Sequence, residues 1–281
     1  MSDRPIAAGV SGLGVVDPAQ AVIAASDEGF ARGRAAFETL RVYAGRPFRL
    51  DEHLARLAAS AERLGLPAPG IDELRALVLD TIAAGGAGDL GVRIYWTPGA
   101  PGAGPSAVVL ASSVPDWIEA VRKRGQRLVT LPFPARSAAW LLPGTKSVSY
   151  ATHVAAEAEA RRRGADDAVF VDLDGTVLEG TVTNVWWREG DLLVTPALEL
   201  GILAGETRAA LLGLAPEAGY AVETGAFGVE RLLGADEVFT SSSVREVMPV
   251  ASLDGRELDS RRAAEALQDA LRRLAGAGST G

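Results

Sequence analysis

Hydrophobic and polar positions change their period several times along the 281-residue chain, and each change marks an element. The stretch 36–43, Ala-Phe-Glu-Thr-Leu-Arg-Val-Tyr, alternates with the period of two that sends successive side chains to opposite faces of a strand. A turn at 44–47 leads into a short strand at 48–50. Asp51 is then placed to cap a helix through about Leu64, with Leu54, Leu57, Ala58 and Leu64 on one face. A second amphipathic helix is expected at 72–84, and strands at 91–96 and 107–110. The loop between those strands, 98–105, is rich in Gly and Pro. No helix follows it to cradle a phosphate, so it reads as a flexible surface loop.

The segment 114–124 reads as a connector, followed by a strand at 126–131 and an irregular stretch to Thr145. A helix is expected over 150–163, with arginines in its last turn, where the helix dipole favours cations, and Gly164 ending it. Short apolar runs at 168–171, 176–178, 184–187 and 192–195, separated by tight turns, predict a cluster of strands. A helix starts near Thr207, a strand falls at 237–241, and a terminal helix spans 260–274. The fold class is therefore α/β in the broad (α+β) sense. The expected division is an N-terminal α/β domain at 1–113, the connector 114–124, a second domain at 125–275, and a disordered tail at 276–281.

Composition narrows the function classes. No apolar run approaches the roughly 20 residues that span a bilayer, so no membrane partner is expected. The start, Met-Ser-Asp-Arg-Pro, lacks the basic region and apolar block of a secretory signal, and a cytoplasmic protein is the expectation. There are no cysteines, which removes disulfides, thiolate metal sites and cysteine nucleophiles. A net charge of −8 supplies no basic field for nucleic acid. Only two of the 28 basic residues are lysines, Lys123 and Lys146. Arginine replaces lysine as a charge but cannot form an imine. Lys123 sits in Arg-Lys-Arg at 122–124, where any cation serves, whereas Lys146 stands apart between Pro-Gly-Thr and Ser-Val-Ser-Tyr.

Three further features admit both a chemical and a plain reading. Glu179 closes a short strand before Gly180. It is either a solvated strand end or a buried carboxylate that needs a cationic partner. The segment 201–208, Gly-Ile-Leu-Ala-Gly-Glu-Thr-Arg, opens a helix. It is either a capped loop-to-helix transition or an anion site at the helix N-terminus. The serines 241–243 are either a polar turn or a source of hydroxyls and amides for a phosphate. His53 and His153 lie a hundred residues apart without ligand spacing, so no metal is expected, and no G-x-S-x-G elbow supports a serine hydrolase.

In order and spacing these motifs resemble the class IV aminotransferase family, the pyridoxal-phosphate enzymes of fold type IV. The resemblance runs through Phe-Glu-Thr-Leu-Arg-Val at 37–42, His-Leu-Ala-Arg-Leu at 53–57, Lys146 with Tyr150, and Gly-Ala-Asp-Asp-Ala at 164–168. It continues through Glu-Gly-Thr-Val-Thr-Asn at 179–184, Thr195-Pro196, the 201–208 segment, and Ser-Ser-Val-Arg-Glu-Val-Met-Pro-Val at 242–250. It implies a two-domain fold with a C-terminal pseudo-barrel, pyridoxal 5'-phosphate as cofactor, and a homodimer acting on a small-molecule amino acid or aminodeoxychorismate. It also implies residue roles. Lys146 would carry the cofactor as a Schiff base and shuttle protons, and Glu179 would pair with the pyridine nitrogen. Arg56 would clamp the phosphate with a bidentate fork, helped by Glu206 and Thr207 at the helix start and by the Ser243 hydroxyl. Tyr150 would lie by the cofactor, near its phenolic oxygen. The loop 98–105 is the candidate to complete a partner's pocket.

The members of this family include aminodeoxychorismate lyases as well as D-amino-acid and branched-chain aminotransferases. Thr39 stands where the lyases carry a threonine implicated in their chemistry, which favours release of pyruvate and 4-aminobenzoate from 4-amino-4-deoxychorismate. The rival readings are an amino-acid or (R)-amine aminotransferase and, more remotely, a non-catalytic cofactor-binding protein. After Trp96 comes Thr-Pro-Gly, where D-amino-acid enzymes and some lyases have an arginine. The substrate carboxylate is therefore left to Arg93, Arg136 or Arg245, and Trp140 is either a pocket wall or core.

Overall fold

The computed structural model describes residues 4–133 and 143–276. Arg136, Trp140 and residues 277–281 of the tail lie outside the described residues. The chain forms two compact units. One comprises Met1–Pro115 with Thr145–Tyr150, and the other Asp116–Gly144 with Ala151–Gly281. The division falls inside the segment expected as a connector, and the six residues around Lys146 belong with the first unit.

The first unit is an antiparallel sheet with two helices on one face. Its strands are β1 (Ala7–Val10), β2 (Gly14–Val16), β3 (Ala36–Tyr43), β4 (Arg46–Pro47), β5 (Leu90–Thr97) and β6 (Ser106–Ser113), in the order β2-β1-β6-β5-β3-β4. The helices are α1 (Glu28–Arg32), α2 (Leu50–Arg63) and α3 (Ile71–Gly85). The alternation of β3 decides what packs where: Ala36, Glu38, Leu40 and Val42 are buried, while Phe37 and Thr39 on the opposite face are half-buried. The apolar side of β3 joins Leu54 and Leu57 of α2, Val78 and Ile82 of α3, Ile94 and Val109 in one core.

Two local expectations are corrected. The stretch expected as a strand at 48–50 is instead a turn into α2, and the strand paired with β3 is Arg46–Pro47, with one further bond from Phe48 N to Arg41 O at 2.9 Å. The cap of α2 is Arg49, held in the left-handed region at φ 55° with no side-chain bond, not Asp51. Asp51 falls in the first turn, where its charge suits the helix dipole. The base of the 98–105 loop is pinned, since Thr97 Oγ1 donates to Asp27 at 2.7 Å and Gly99 N donates to Thr97 Oγ1 at 3.1 Å. Gly99 is required there: at φ 78°, an added Cβ would lie 1.7 Å from the Gly104 carbonyl oxygen.

The second unit contains α4 (Trp117–Arg124), β7 (Gln126–Pro132), α5 (Ala151–Arg162), β8 (Asp167–Val171), β9 (Val177–Gly180) and β10 (Asn184–Glu189). It continues with β11 (Leu192–Pro196), α6 (Glu206–Leu214), β12 (Ala221–Gly225), α7 (Val229–Leu233), β13 (Glu237–Ser242), β14 (Glu246–Leu253), β15 (Arg256–Glu257) and α8 (Arg262–Leu274). The strand order is β12-β11-β10-β13-β14-β7-β8-β9, with β15 on β14. A single core gathers Leu128, Val169, Val177, Val185, Val194, Val238 and Val250, one from each of seven strands. Gly180 N bonds Thr183 O at 2.7 Å where β9 comes back towards β10. The sheet therefore curls around its own interior, as a pseudo-barrel does. The last helix is fixed by Glu237, fully buried, whose carboxylate accepts from the N–H groups of Ala263 and Ala264 at 3.1 and 2.8 Å.

Candidate active site

Lys146, Thr39, Arg56 and Tyr150 fall in the first unit, and Glu179, Glu206, Thr207 and Ser243 in the second.

In the first, the segment 146–148 runs as an extra edge beside the start of β3. Phe37 N donates to Lys146 O, Val148 N donates to Ala35 O, both at 3.0 Å, and Ala36 pairs with Ser147. Ser60 of α2 anchors the same segment, accepting the Lys146 N–H at 3.2 Å. The lysine Nζ lies 4.2 Å from the centre of the Phe37 ring. That ring stacks on Tyr95 at 6.1 Å and meets Tyr150 edge-on at 5.2 Å. Thr39 is two residues along from Phe37, on the same half-buried face, and its register partner on β5 is the exposed Arg93. Lys146, Tyr150, Thr39 and Arg93 therefore share one side of the sheet.

Arg56 is held from the other side. Its Nε and Nη2 donate to Glu38 at 2.7 and 2.6 Å, and His53 Nδ1 lies 2.8 Å from the same carboxylate. Burial pushes the Glu38 carboxyl up, but the hydrogen bonds and charges of Arg56 and His53 outweigh it and hold the group at about 2. The edge of the guanidinium expected to fork onto a phosphate is, in this structure, on Glu38.

In the second unit Glu179 is the half-buried penultimate residue of β9. Both its oxygens lie 3.2 Å from Leu203 N, and Asn184 Nδ2 approaches at 3.4 Å while also donating to Leu203 O at 3.0 Å. Glu206 and the buried Thr207 form the first turn of α6, whose N-cap, Gly205, bonds no side chain. A Cβ at position 205 would stand 2.0 Å from Asn184 Oδ1, so glycine is what lets the helix start approach the Glu179 carboxylate's partner. Arg208 behind them is 5% exposed. It donates from Nη2 to Pro196 O at 2.8 Å, and burial lowers its pKa. Ser243 lies in the turn between β13 and β14. Arg245 pairs with Asp167 at 2.9 Å and lies 5.3 Å over the ring of the exposed Trp117, so its charge is engaged within this unit. Ser60, Glu38, Asn184 and Gly205 were not foreseen as site residues. Glu38, Asn184 and Gly205 lie inside the motifs at 37–42, 179–184 and 201–208, but Ser60 carries no local signal.

The sequence profile described as amino-transferase class IV matches residues 35–253. The chain belongs to the class IV aminotransferases. Among its relatives is the bifunctional aminodeoxychorismate lyase / D-amino acid transaminase of Mycobacterium tuberculosis, 34% identical, with 87% of this chain and 90% of that protein covered. Among solved structures is the fold IV-transaminase CpuTA1 of Curtobacterium pusillum, with a TM-score of 0.85, 37% identity and 91% of both chains covered. A PLP-bound hypothetical aminotransferase of M. tuberculosis superposes with a TM-score of 0.88 at 30% identity, over 95% of this chain and 99% of that one. This member of the class IV aminotransferase family is thus a pyridoxal-phosphate-dependent enzyme of fold type IV. Among the described residues no helix is long and apolar enough to cross a membrane.

Proposed function

We propose that this class IV enzyme is an aminodeoxychorismate lyase, with Lys146 as the residue that binds the cofactor covalently. The observation that carries the choice of reaction is the placement of Thr39, on the β3 face whose Phe37 ring lies under Lys146 Nζ, opposite the exposed Arg93. The residues present fit the cofactor. Glu179 offers a half-buried carboxylate to a pyridinium N–H, while α6 offers a helix start at Glu206 and Thr207 to the phosphate. Arg56 and the Ser243 turn are further phosphate contacts, and Tyr150 lies beside the lysine.

When bound, pyridoxal phosphate supplies an electron sink for the carbon attached to the substrate nitrogen. The protein supplies the rest. Lys146 Nζ, beside the Phe37 ring, moves a proton from the ring carbon being aromatised. Thr39 Oγ1 relays a proton to the departing pyruvate, and Arg93 steadies a substrate carboxylate from the neighbouring strand. A second copy completes the pocket in a homodimer, in keeping with Leu13, Val15, Val22 and Ile23, large apolar residues exposed early in the chain. A mass measurement in solution tests that state.

D-amino-acid transamination is the second reading, favoured by the relative that carries both activities in its name. It uses the same Lys146 and Glu179, so the two are separated by products. Release of 4-aminobenzoate and pyruvate from 4-amino-4-deoxychorismate, cut at least about a hundredfold by Thr39→Val, supports the lyase. Amination of the cofactor by D-amino acids without any 4-aminobenzoate overturns it.

A further inference from the structure

Glu38 is 0% exposed and His53 1% exposed, so this cluster lies wholly inside the first unit. A carboxylate removed from water costs several kcal/mol unless its lone pairs are met. Glu38 meets that cost by taking two donors along the Nε–Nη2 edge of Arg56 and a third from His53. A joint between a strand and a helix is made as well or better by apolar side chains of similar volume. What an ionic cluster at this point adds is therefore read from the geometry of its donors.

The helix shows what that is. His53, Arg56 and Ser60 stand at spacings of three and four, one stripe of α2 facing the edge of β3. The first two hold Glu38, and Ser60, one turn beyond Arg56, holds the main chain of Lys146. A planar fork gripped along one edge can rotate only with its partner, so its Nη1 end is aimed by Glu38.

We infer that Glu38, braced by His53, is the positioning residue that aims Arg56 at the cofactor phosphate. This rests on reading Arg56 as a phosphate contact. The sign of the effect separates aiming from charge. Removing the Glu38 charge alone would strengthen an anion's attraction to Arg56, whereas losing the aim weakens the bond.

The test is the dissociation constant of the purified apoenzyme for pyridoxal phosphate and for pyridoxal, which lacks the phosphate, measured by absorbance titration. Glu38→Gln is expected to lower the preference for the phosphorylated form by about tenfold, the usual scale for an outer partner of a ligand-holding side chain. Pyridoxal binding changes little. Arg56→Met, measured alongside, is expected to lower the preference further. If Arg56→Met collapses the preference while Glu38→Gln leaves it unchanged or raises it, Glu38 does not aim Arg56 and the inference falls alone. If Arg56→Met also leaves the preference intact, the phosphate reading of Arg56 falls and the inference with it. His53→Gln covers the case in which Glu38→Gln does not fold. It is expected to shift the preference the same way, and an unchanged preference there contradicts the inference.

Discussion

Two fully buried carboxylates, Glu38 and Glu246, solve the same electrostatic problem for different ends. Glu246 opens β14 at φ 57° and takes Arg122 Nη2 at 3.0 Å, Arg272 Nη2 at 2.9 Å and Gln268 Nε2 at 2.8 Å. Its arginines are shared onward: Arg272 also donates to Glu119 at 2.6 Å, and Arg122 to the carbonyls of Arg245 and Val247. Donors from α4 and α8 thus converge on one strand end, which is the geometry of a joint. Glu38 draws its side-chain donors from one helix, α2, and the stripe that serves it also fixes the lysine segment. A buried ion cluster that gathers arginines from two helices ties elements together, whereas one that grips a single arginine along one edge sets how that arginine points.

The largest effect is expected at Glu246. Glu246→Ala leaves two arginines inside without their carboxylate and should destabilise the fold by about 3–5 kcal/mol in denaturant unfolding. The preference for pyridoxal phosphate over pyridoxal should stay unchanged in the folded fraction. A changed preference would erase the distinction between joint and aim.

Acid probes Glu38 next. Its folded pKa of about 2 lies below the ordinary 4.5, so its contribution is complete above pH 4.5 and disappears as pH falls from there towards 2. The shift corresponds to about 3 kcal/mol, and Glu38→Gln should flatten the unfolding curve in that window. An unaltered pH dependence between wild type and variant would show that Glu38 is not held ionised by its partners.

A smaller effect is expected at Gly205. Its backbone, at φ −66° and ψ 133°, suits alanine, so only the contact with Asn184 Oδ1 is at issue. Gly205→Ala should cost about 1–3 kcal/mol and weaken cofactor binding by displacing the Asn184 that borders Glu179. Loss of stability with cofactor affinity intact would detach Asn184 from the site.

Much of this molecule was legible because period carries it. The alternation at 36–43 gives β3 residue for residue, and the apolar stripe of α2 and the short runs of the second unit are found where the pattern places them. What escaped has physical causes. β14 contains Pro249 and begins at a residue with positive φ, so it does not read as an interior strand. β1 and β2 are short, and β2 begins at Gly14 in a largely exposed stretch, leaving little apolar signal. The start of α2 misled because Asp51 is a good cap by type, yet Arg49 takes the turn. Lys146 stood out by rarity. Ser60 did not, since its bond to Lys146 spans 86 residues of sequence and no local pattern encodes it.

Lys146, and not Lys123, is the proposed carrier of the cofactor, and the scarcity of lysine makes one measurement decisive. The holoenzyme is reduced with borohydride, digested and mapped by mass spectrometry. The account predicts a stable pyridoxyl label on the peptide containing Lys146 and its disappearance in Lys146→Ala. A label on Lys123, or an unlabelled Lys146 peptide from protein saturated with pyridoxal phosphate, contradicts it.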